Sequence, residues 1–578
     1  MLQRRWYQWL DQIGFRLSGI DALPLLCMLA IPVGLLSSAI IILFRLLVES
    51  SQGQILPSGI PENFESLPFW LRLLLPAAGG LLVGLLWQSL HSGVRSVGIV
   101  HVMERLAFHQ GILPLRNALA QFAGAALSII SGHSVGREGP IVHLGAASGS
   151  QLGQWLQLPN NSKRTLVACG IAAAISASFN TPLAGIIFSM EVVMMEYSLL
   201  SFMPVILAAV TSTTLTRAVF GSSPAFVIPE TQLDSLPALS YILLSGIVLG
   251  CLAALFIHLL QHSSRLGTNW PVWVRCTLGG CVVGSIAMVA PEVMGIGYDT
   301  VNQALLGQLG LAMLAGVAVA KILATAIGLG LGLPGGLIGP SLFIGASAGG
   351  AMGLVANAWL PGNPASPAFH ALIGMGTFMG ATLQAPLAAL TAMLELTANP
   401  HIILPGMLAL VAAVLTSREI FGKDSVYLLL LKARGLDIRD TALSQALRRI
   451  GVASVMERRL ESVPRMTDQQ QAAHALSGEP LWILVTEDAV PCCIMPAADL
   501  ARYLQQNDSD SIDLLAIAAE RQEVRPIDFQ ATLQEAQELL AREGVEALYI
   551  TRHAVPGISR IYGILTRQVI DRSYLPRG

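Results

Sequence analysis

The sequence predicts an all-α polytopic membrane protein made of two related halves, followed by a small α/β domain. Three observations predict this: a composition too apolar for water, an internal repeat at an offset of about 200 residues, and an abrupt change of composition after Tyr427.

The 578 residues are 53% hydrophobic and only 12% charged, whereas about a quarter of the residues of a soluble protein are charged. Stretches long enough to cross a hydrocarbon core of about 30 Å recur between Asp21 and Ser417; Leu23 to Leu47, Leu71 to Trp87, Tyr241 to Leu260 and Leu311 to Gly330 are examples. Ahead of the first, Arg4, Arg5 and Arg16 stand beside Trp6, Tyr7 and Trp9, and no small-residue cleavage pattern follows. Residues 1–21 therefore read as a cytoplasmic segment before a retained first span, because Lys and Arg are kept on the cytoplasmic side. A formal charge of -2 without Lys/Arg runs leaves no basic surface for nucleic acid. The cysteines, five in apolar runs and the adjacent pair Cys492 and Cys493, read as small hydrophobes rather than disulfides or metal ligands.

The repeat divides the apolar region into residues 22–225 and 226–435. Gly136-Arg-Glu-Gly-Pro140-Ile-Val-His-Leu-Gly145-Ala146 matches Gly336-Leu-Ile-Gly-Pro340-Ser-Leu-Phe-Ile-Gly345-Ala346, and Gly149 and Gly349 keep the register. Downstream, Gly170 to Val193 matches Gly374 to Thr397, aligning Pro182-Leu183-Ala184 with Pro386-Leu387-Ala388 and Glu191 with Glu395. Upstream, Val97-Gly98 matches Ile296-Gly297. Transporters with such halves place their substrate near the bilayer midplane, where the N-termini of broken helices face it.

Each half interrupts an apolar run with Gly-x-x-Gly-Pro and then resumes a helical pattern. Proline suits a first helical turn, and glycine lets backbone approach a ligand closely. A helix N-terminus aimed into the interior offers free N–H groups and a partial positive charge to an anion. Irregular backbone survives at that depth only when buried or lining a cavity. Glu138 lies inside the first motif, where its counterpart is Ile338. An ionisable group there is a functional candidate, and beside anion-seeking N–H groups a carboxylate competes with the anion: a gate set by pH. The plainer alternative is a salt bridge to Arg137.

At these residues the chain resembles the CLC family of chloride channels and chloride/proton antiporters, over about Leu23 to Ala433, with Gly136-Arg137-Glu138-Gly139-Pro140 the most specific motif. The resemblance implies an inverted repeat with broken helices, a homodimer with one pore per subunit in the cell (inner) membrane, and Glu138 as the gate. It implies an anion site around Gly136, Arg137, Gly139, Gly336, Leu337 and Ile338, with Tyr427 at the start of the last membrane helix as a hydroxyl donor. Three departures stand out. The family's Gly-Ser-Gly-Ile-Pro segment reads Ser96-Val97-Gly98-Ile99-Val100, so Val97 replaces the serine ligand unless the register slips to Ser96. Ile338 stands where many members have phenylalanine. In Phe188-Ser-Met-Glu191-Val192-Val193 the antiporters' internal proton-relay glutamate is Val192, which favours a passive channel over a chloride/proton antiporter, with Glu191 as either a proton-path residue or a helix-end anchor.

Beyond Tyr427 charged residues such as Lys432, Arg434, Asp437, Arg439 and Asp440 appear and a cytoplasmic tail begins. A helix from Thr467 to Leu476 with a Thr467/Gln470 capping box precedes apolar runs Leu481 to Val485 and Cys492 to Met495. A second, from Thr532 to Leu540 with Thr532/Glu535, precedes Ala547 to Thr551 and Ile558 to Leu565. Helix, strand, strand, helix twice over resembles a tandem CBS pair, residues 442–506 and 512–577. The family's nucleotide pattern Thr-x-x-Asp appears as Pro496-Ala-Ala-Asp499 and Thr566-Arg-Gln-Val569, one partner per copy, so no adenine nucleotide or other cofactor is expected. An intramembrane metal enzyme using His133, Glu138 and His143 is disfavoured, since five-residue spacings turn about 140° each on a helix. A divalent-cation transporter with such a tail lacks the acidic cluster it needs.

Overall fold

In the computed structural model, residue 17 and residues 22–222, 226, 236–359, 366–438, 442–507, 511–555 and 558–574 are described. The basic and aromatic residues of the N-terminal segment, the boundary at 225, and Arg439 and Asp440 lie outside the described residues.

The first half runs α1 (Leu23–Ile55), α2 (Phe69–Ser89), α3 (Gly98–Phe108), α4 (Leu115–Ile130), α5 (Glu138–Trp155), α6 (Asn160–Phe179), α7 (Pro182–Phe188, extended by a π turn) and α8 (Leu199–Phe220). The second repeats that order as α9 (Leu236–Arg265), α10 (Val272–Val289), α11 (Tyr298–Leu305), α12 (Leu311–Gly330), α13 (Ile338–Trp359), α14 (Pro367–Leu383), α15 (Pro386–Thr397) and α16 (Ile403–Leu415), and α17 (Val426–Ala433) closes the region. Eight of the described helices are long and apolar enough to cross a membrane, among them all four stretches named from sequence. The breaks predicted at the two Gly-x-x-Gly-Pro motifs are the buried starts of α5 and α13, and the shorter helices α3, α7, α11 and α15 lie between the long ones.

The halves meet through equivalent residues. A Cβ on Gly80 of α2 would come within 2.4 Å of the Cys276 carbonyl, and one on Gly280 of α10 within 2.2 Å of the Pro76 carbonyl. Contacts that exchange partners at an offset of 200 residues are those of a twofold, self-complementary interface. The same reciprocity recurs at two carboxylates. Glu191 accepts from the backbone N–H groups of Leu387 (3.1 Å) and Ala388 (2.6 Å), and Glu395 from those of Leu183 (2.9 Å) and Ala184 (2.7 Å). Each acid caps the first turn of the other half's proline-initiated helix, α15 or α7, where orphan N–H groups and the dipole favour negative charge.

The chain divides into two compact units: Leu26–Leu152 with Arg164–Ile438, and Met1–Leu25 with Gly153–Lys163 and Arg439–Gly578. The second unit contains α18 (Ala442–Arg448), α19 (Val452–Val455), β1 (Leu460–Pro464), β2 (Met466–Thr467), α20 (Gln469–Leu476), β3 (Trp482–Glu487), β4 (Val490–Pro496), α21 (Ala497–Gln506), β5 (Ile512–Asp513), β6 (Gln522–Asp528), α22 (Leu533–Glu543), β7 (Ala547–Val555), β8 (Ile558–Thr566) and α23 (Arg567–Tyr574). Its six-stranded sheet has the order β1-β3-β4-β6-β7-β8, with β1·β3 and β6·β7 parallel and β4·β6 joining the two copies. The leading strands β1 and β6 went unrecognised in the sequence because charged residues and prolines interrupt their apolar pattern. The predicted Thr532/Glu535 capping box is present. At the first copy the cap is Asp468, whose carboxylate accepts from Gln471 N–H, one residue later than the Thr467 predicted. Residues 153–163, assigned from sequence to the first repeat, group with this unit through polar contacts: Asn160 donates to Glu535 at 3.0 Å and Arg552 to Gln157 at 2.9 Å.

Candidate functional site

The two glycine motifs meet. Gly136 N–H donates to the Gly336 carbonyl (2.9 Å) and Gly336 N–H to the Gly136 carbonyl (2.6 Å), a short antiparallel bridge between equivalent residues 200 apart. Space allows nothing larger: a Cβ on Gly139 would lie 2.8 Å from the Gly335 carbonyl, and one on Gly336 2.5 Å from Gly139 N. From this bridge α5 and α13 depart, each with its N-terminus at the crossing. The bridge corrects part of the predicted anion site, for Gly136 and Gly336 use their N–H groups on each other and have none to offer an ion.

Glu138 is the first residue of α5 and is fully buried. Its Oε2 accepts from Gly339 N–H at 3.0 Å, in the first turn of α13, and its Oε1 accepts from the Tyr298 hydroxyl at 2.9 Å. The carboxylate thus sits where the second half's helix dipole and free N–H groups attract negative charge. Arg137 takes no part in a salt bridge to it: its guanidinium donates to Ser178 O at 3.2 Å and lies 5.5 Å from the centre of the Tyr298 ring.

Two cavities approach this point. The first, about 510 Å³, is lined by Val97 to Val100, Gln121, Gly139, Gly336, Leu337 and Tyr427, with Arg95, Arg265, Arg275 and Arg434 and, among the described residues, no carboxylate in its wall. These guanidinium groups, of which Arg434 is paired with Glu104 at 3.8 Å, raise the local concentration of anions there. The Tyr427 hydroxyl is buried without a hydrogen-bond partner among the described residues. Val97, and not Ser96, is among the residues that line the cavity. The second cavity, about 500 Å³, is lined by Arg45, Glu49, Glu62, Arg137, Tyr298 and Asp299. A neighbouring recess adds Glu65 and Glu292. Burial raises the Glu62 carboxyl above its ordinary value and pushes Glu65 up to about 7. Arg137 therefore belongs to this acidic mouth, and Ile338, buried, lines neither cavity.

Sequence reasoning missed three residues. Tyr298 was findable: it follows Ile296-Gly297, the counterpart of Val97-Gly98, and opens the helix that repeats α3. Lys321 lies within an apolar span, which alone marks a functional candidate; fully buried, it donates to the carbonyls of Val293 (3.0 Å), Gly295 (2.9 Å) and Ile296 (3.3 Å). Gln121 is the third. The residues proposed for a metal enzyme have separate partners: His143 faces His101 at 3.2 Å, and His133 Nδ1 lies 2.9 Å from both Ser131 and the Ser128 carbonyl.

Comparison with known proteins follows the same residues. The family model described as "Voltage gated chloride channel" matches residues 79–418. A putative chloride channel protein ClcB-like of Ralstonia nicotianae is 36% identical over 376 residues, covering 64% of this chain and 87% of the relative. An H(+)/Cl(-) exchange transporter ClcA of Vibrio cholerae is 30% identical over 382 residues, 63% of this chain and 80% of the relative. Among solved structures, a slow cyanobacterial Cl-/H+ antiporter superposes with a TM-score of 0.63 at 25% identity over 71% of this chain and 97% of that one. A eukaryotic CLC transporter shares the fold over 94% of this chain and 97% of its own, with a TM-score of 0.60 at 19% identity.

Proposed function

We propose, for a chain that belongs to the voltage-gated chloride channel family, that it carries chloride passively through a pore that Glu138 opens and closes. Membership brings CLC-type anion transport; the passive mode and the gate are the proposal. The single observation that carries the gate is the position of the Glu138 carboxylate on Gly339 N–H at 3.0 Å, at a helix N-terminus suited to an anion. Ionised, the side chain occupies the ion's place. Protonated, it loses the attraction to those N–H groups and yields to chloride. Tyr427, Gly139 and Leu337 receive the ion in the basic cavity.

Two observations support passive flow. Val192, buried at the position of the antiporters' internal acid, has no proton to give, and the Glu191 carboxylate is engaged by two backbone N–H groups of α15. The alternative, chloride/proton exchange, is favoured by the described activity of the cyanobacterial neighbour. In planar bilayers at fixed chloride, a proton gradient leaves the zero-current voltage at the chloride value if flow is passive; displacement toward the proton potential establishes exchange. The proposal includes a homodimer in the cell membrane with a cytoplasmic N-terminus and a CBS-type tail, and voltage dependence of the gate.

A further inference from the structure

We infer that Gln121 is an anion-coordinating residue of the basic cavity, setting its preference for chloride. The inference rests on the transport reading above and adds a named selectivity residue to it.

Gln121 in α4 and Lys321 in α12 are equivalent, 200 residues apart. The register between them is fixed just downstream, where Gly132 and Gly332 both take left-handed backbone (φ 76° and 103°) as these helices end. In the second half Lys321 ties down the loop before α11 through three carbonyls. In the first half that task falls to Asn117, one turn earlier on the same helix face, whose amide donates to the carbonyls of Gly93 (2.8 Å), Val94 (3.3 Å) and Ser96 (2.9 Å). Gln121 is thereby released from its counterpart's work. It is 0% exposed, both its amide atoms lack a protein partner, and it forms part of the wall of the cavity that Gly139, Gly336 and Tyr427 also line.

A buried carboxamide with no partner costs stability unless something supplies one. The cavity beside it concentrates anions, and an amide N–H turned into that space donates to a partly dehydrated chloride as a hydroxyl does. The wall beside it is apolar at Val97 and Val100. Strongly hydrated chloride needs the donor to replace lost water, whereas weakly hydrated thiocyanate gains more from apolar contact.

The test is radiolabelled chloride and thiocyanate uptake into liposomes holding the full chain, the Gln121→Leu variant and the isosteric Gln121→Glu variant. Loss of one hydrogen bond to an ion predicts chloride uptake about tenfold slower in Gln121→Leu, with thiocyanate little changed, so the chloride-to-thiocyanate ratio falls about tenfold. Gln121→Glu, which keeps the shape and places an acceptor against the ion, loses chloride uptake while eluting in size-exclusion chromatography as the unaltered chain does. An unchanged ratio in Gln121→Leu overturns the inference; if that variant does not fold, unchanged chloride uptake in Gln121→Glu overturns it. Uptake of neither anion by the unaltered chain overturns the transport reading and this inference together. Transport with an unaltered ratio overturns this inference alone.

Discussion

In the first half of the membrane region the loop before α3 is held by the neutral amide of Asn117; in the second, the loop before α11 is held by the ammonium group of Lys321. At the crossing, the first half contributes the ionisable Glu138 and the second the apolar Ile338, with Tyr298 and Gly339 from the second half binding the first half's carboxylate. Elsewhere the halves remain interchangeable: Glu191 and Glu395 cap each other's partner helix in matching geometry. Symmetry thus holds where the helix starts are capped and is relaxed at the loop anchors and at Glu138. In the proposed gating, only one of the two equivalent positions carries a charge.

This contrast breaks most readily at the two loop anchors. Lys321→Met leaves three buried carbonyls unpaired and is expected to destabilise the protein by about 3 kcal/mol or more, against about 1–2 kcal/mol for Asn117→Leu, whose amide has fewer hydrogens to lose. Unfolding midpoints in detergent compare them, and equal losses would show that charge is incidental at 321. The caps sharpen the symmetric side. Glu191→Ala and Glu395→Ala should each cost roughly 1–2 kcal/mol and should match each other. A much larger loss of transport than of stability in Glu191→Ala alone would return Glu191 to a proton path.

Tyr298→Phe removes the second half's hydroxyl from the proposed gate. One hydrogen bond to a carboxylate is worth about 1.5–3 kcal/mol, so chloride uptake at neutral pH should rise roughly tenfold, while Glu138→Gln should abolish dependence on acid. Unchanged uptake in Tyr298→Phe would show that the hydroxyl plays no part in holding the gate. The smallest effect belongs to the acidic mouth. The folded-state value for Glu65, about 7, lies above its ordinary 4.5, so the folded protein holds that proton longer than the unfolded chain. Stability therefore falls as pH rises from about 4.5 to about 7. Above that window the ionised group repels incoming anions. Glu65→Gln should raise uptake at pH 8 by about twofold at low salt, with no change at pH 5. Equal change at both values would remove titration as the cause.

What composition and repetition alone determined here is considerable. Apolar length prescribed the spans, because a bilayer leaves a backbone no other partner than itself. The repeated Gly-x-x-Gly-Pro placed two helix starts in the interior, and the position of Glu138 within one of them marked it as the candidate gate. Local signals are written in consecutive residues, and these were consecutive. Tertiary structure decided which donors reach which acceptors. The sequence offered Glu191 two occupations, and the structure engages its carboxylate with α15, 196 residues away. Gly136 and Gly336 spend their N–H groups on each other, and Tyr298 reaches Glu138 across 160 residues. Hydrogen bonds fall off within a few tenths of an ångström, and no spacing along the chain measures that distance between residues that only folding brings together.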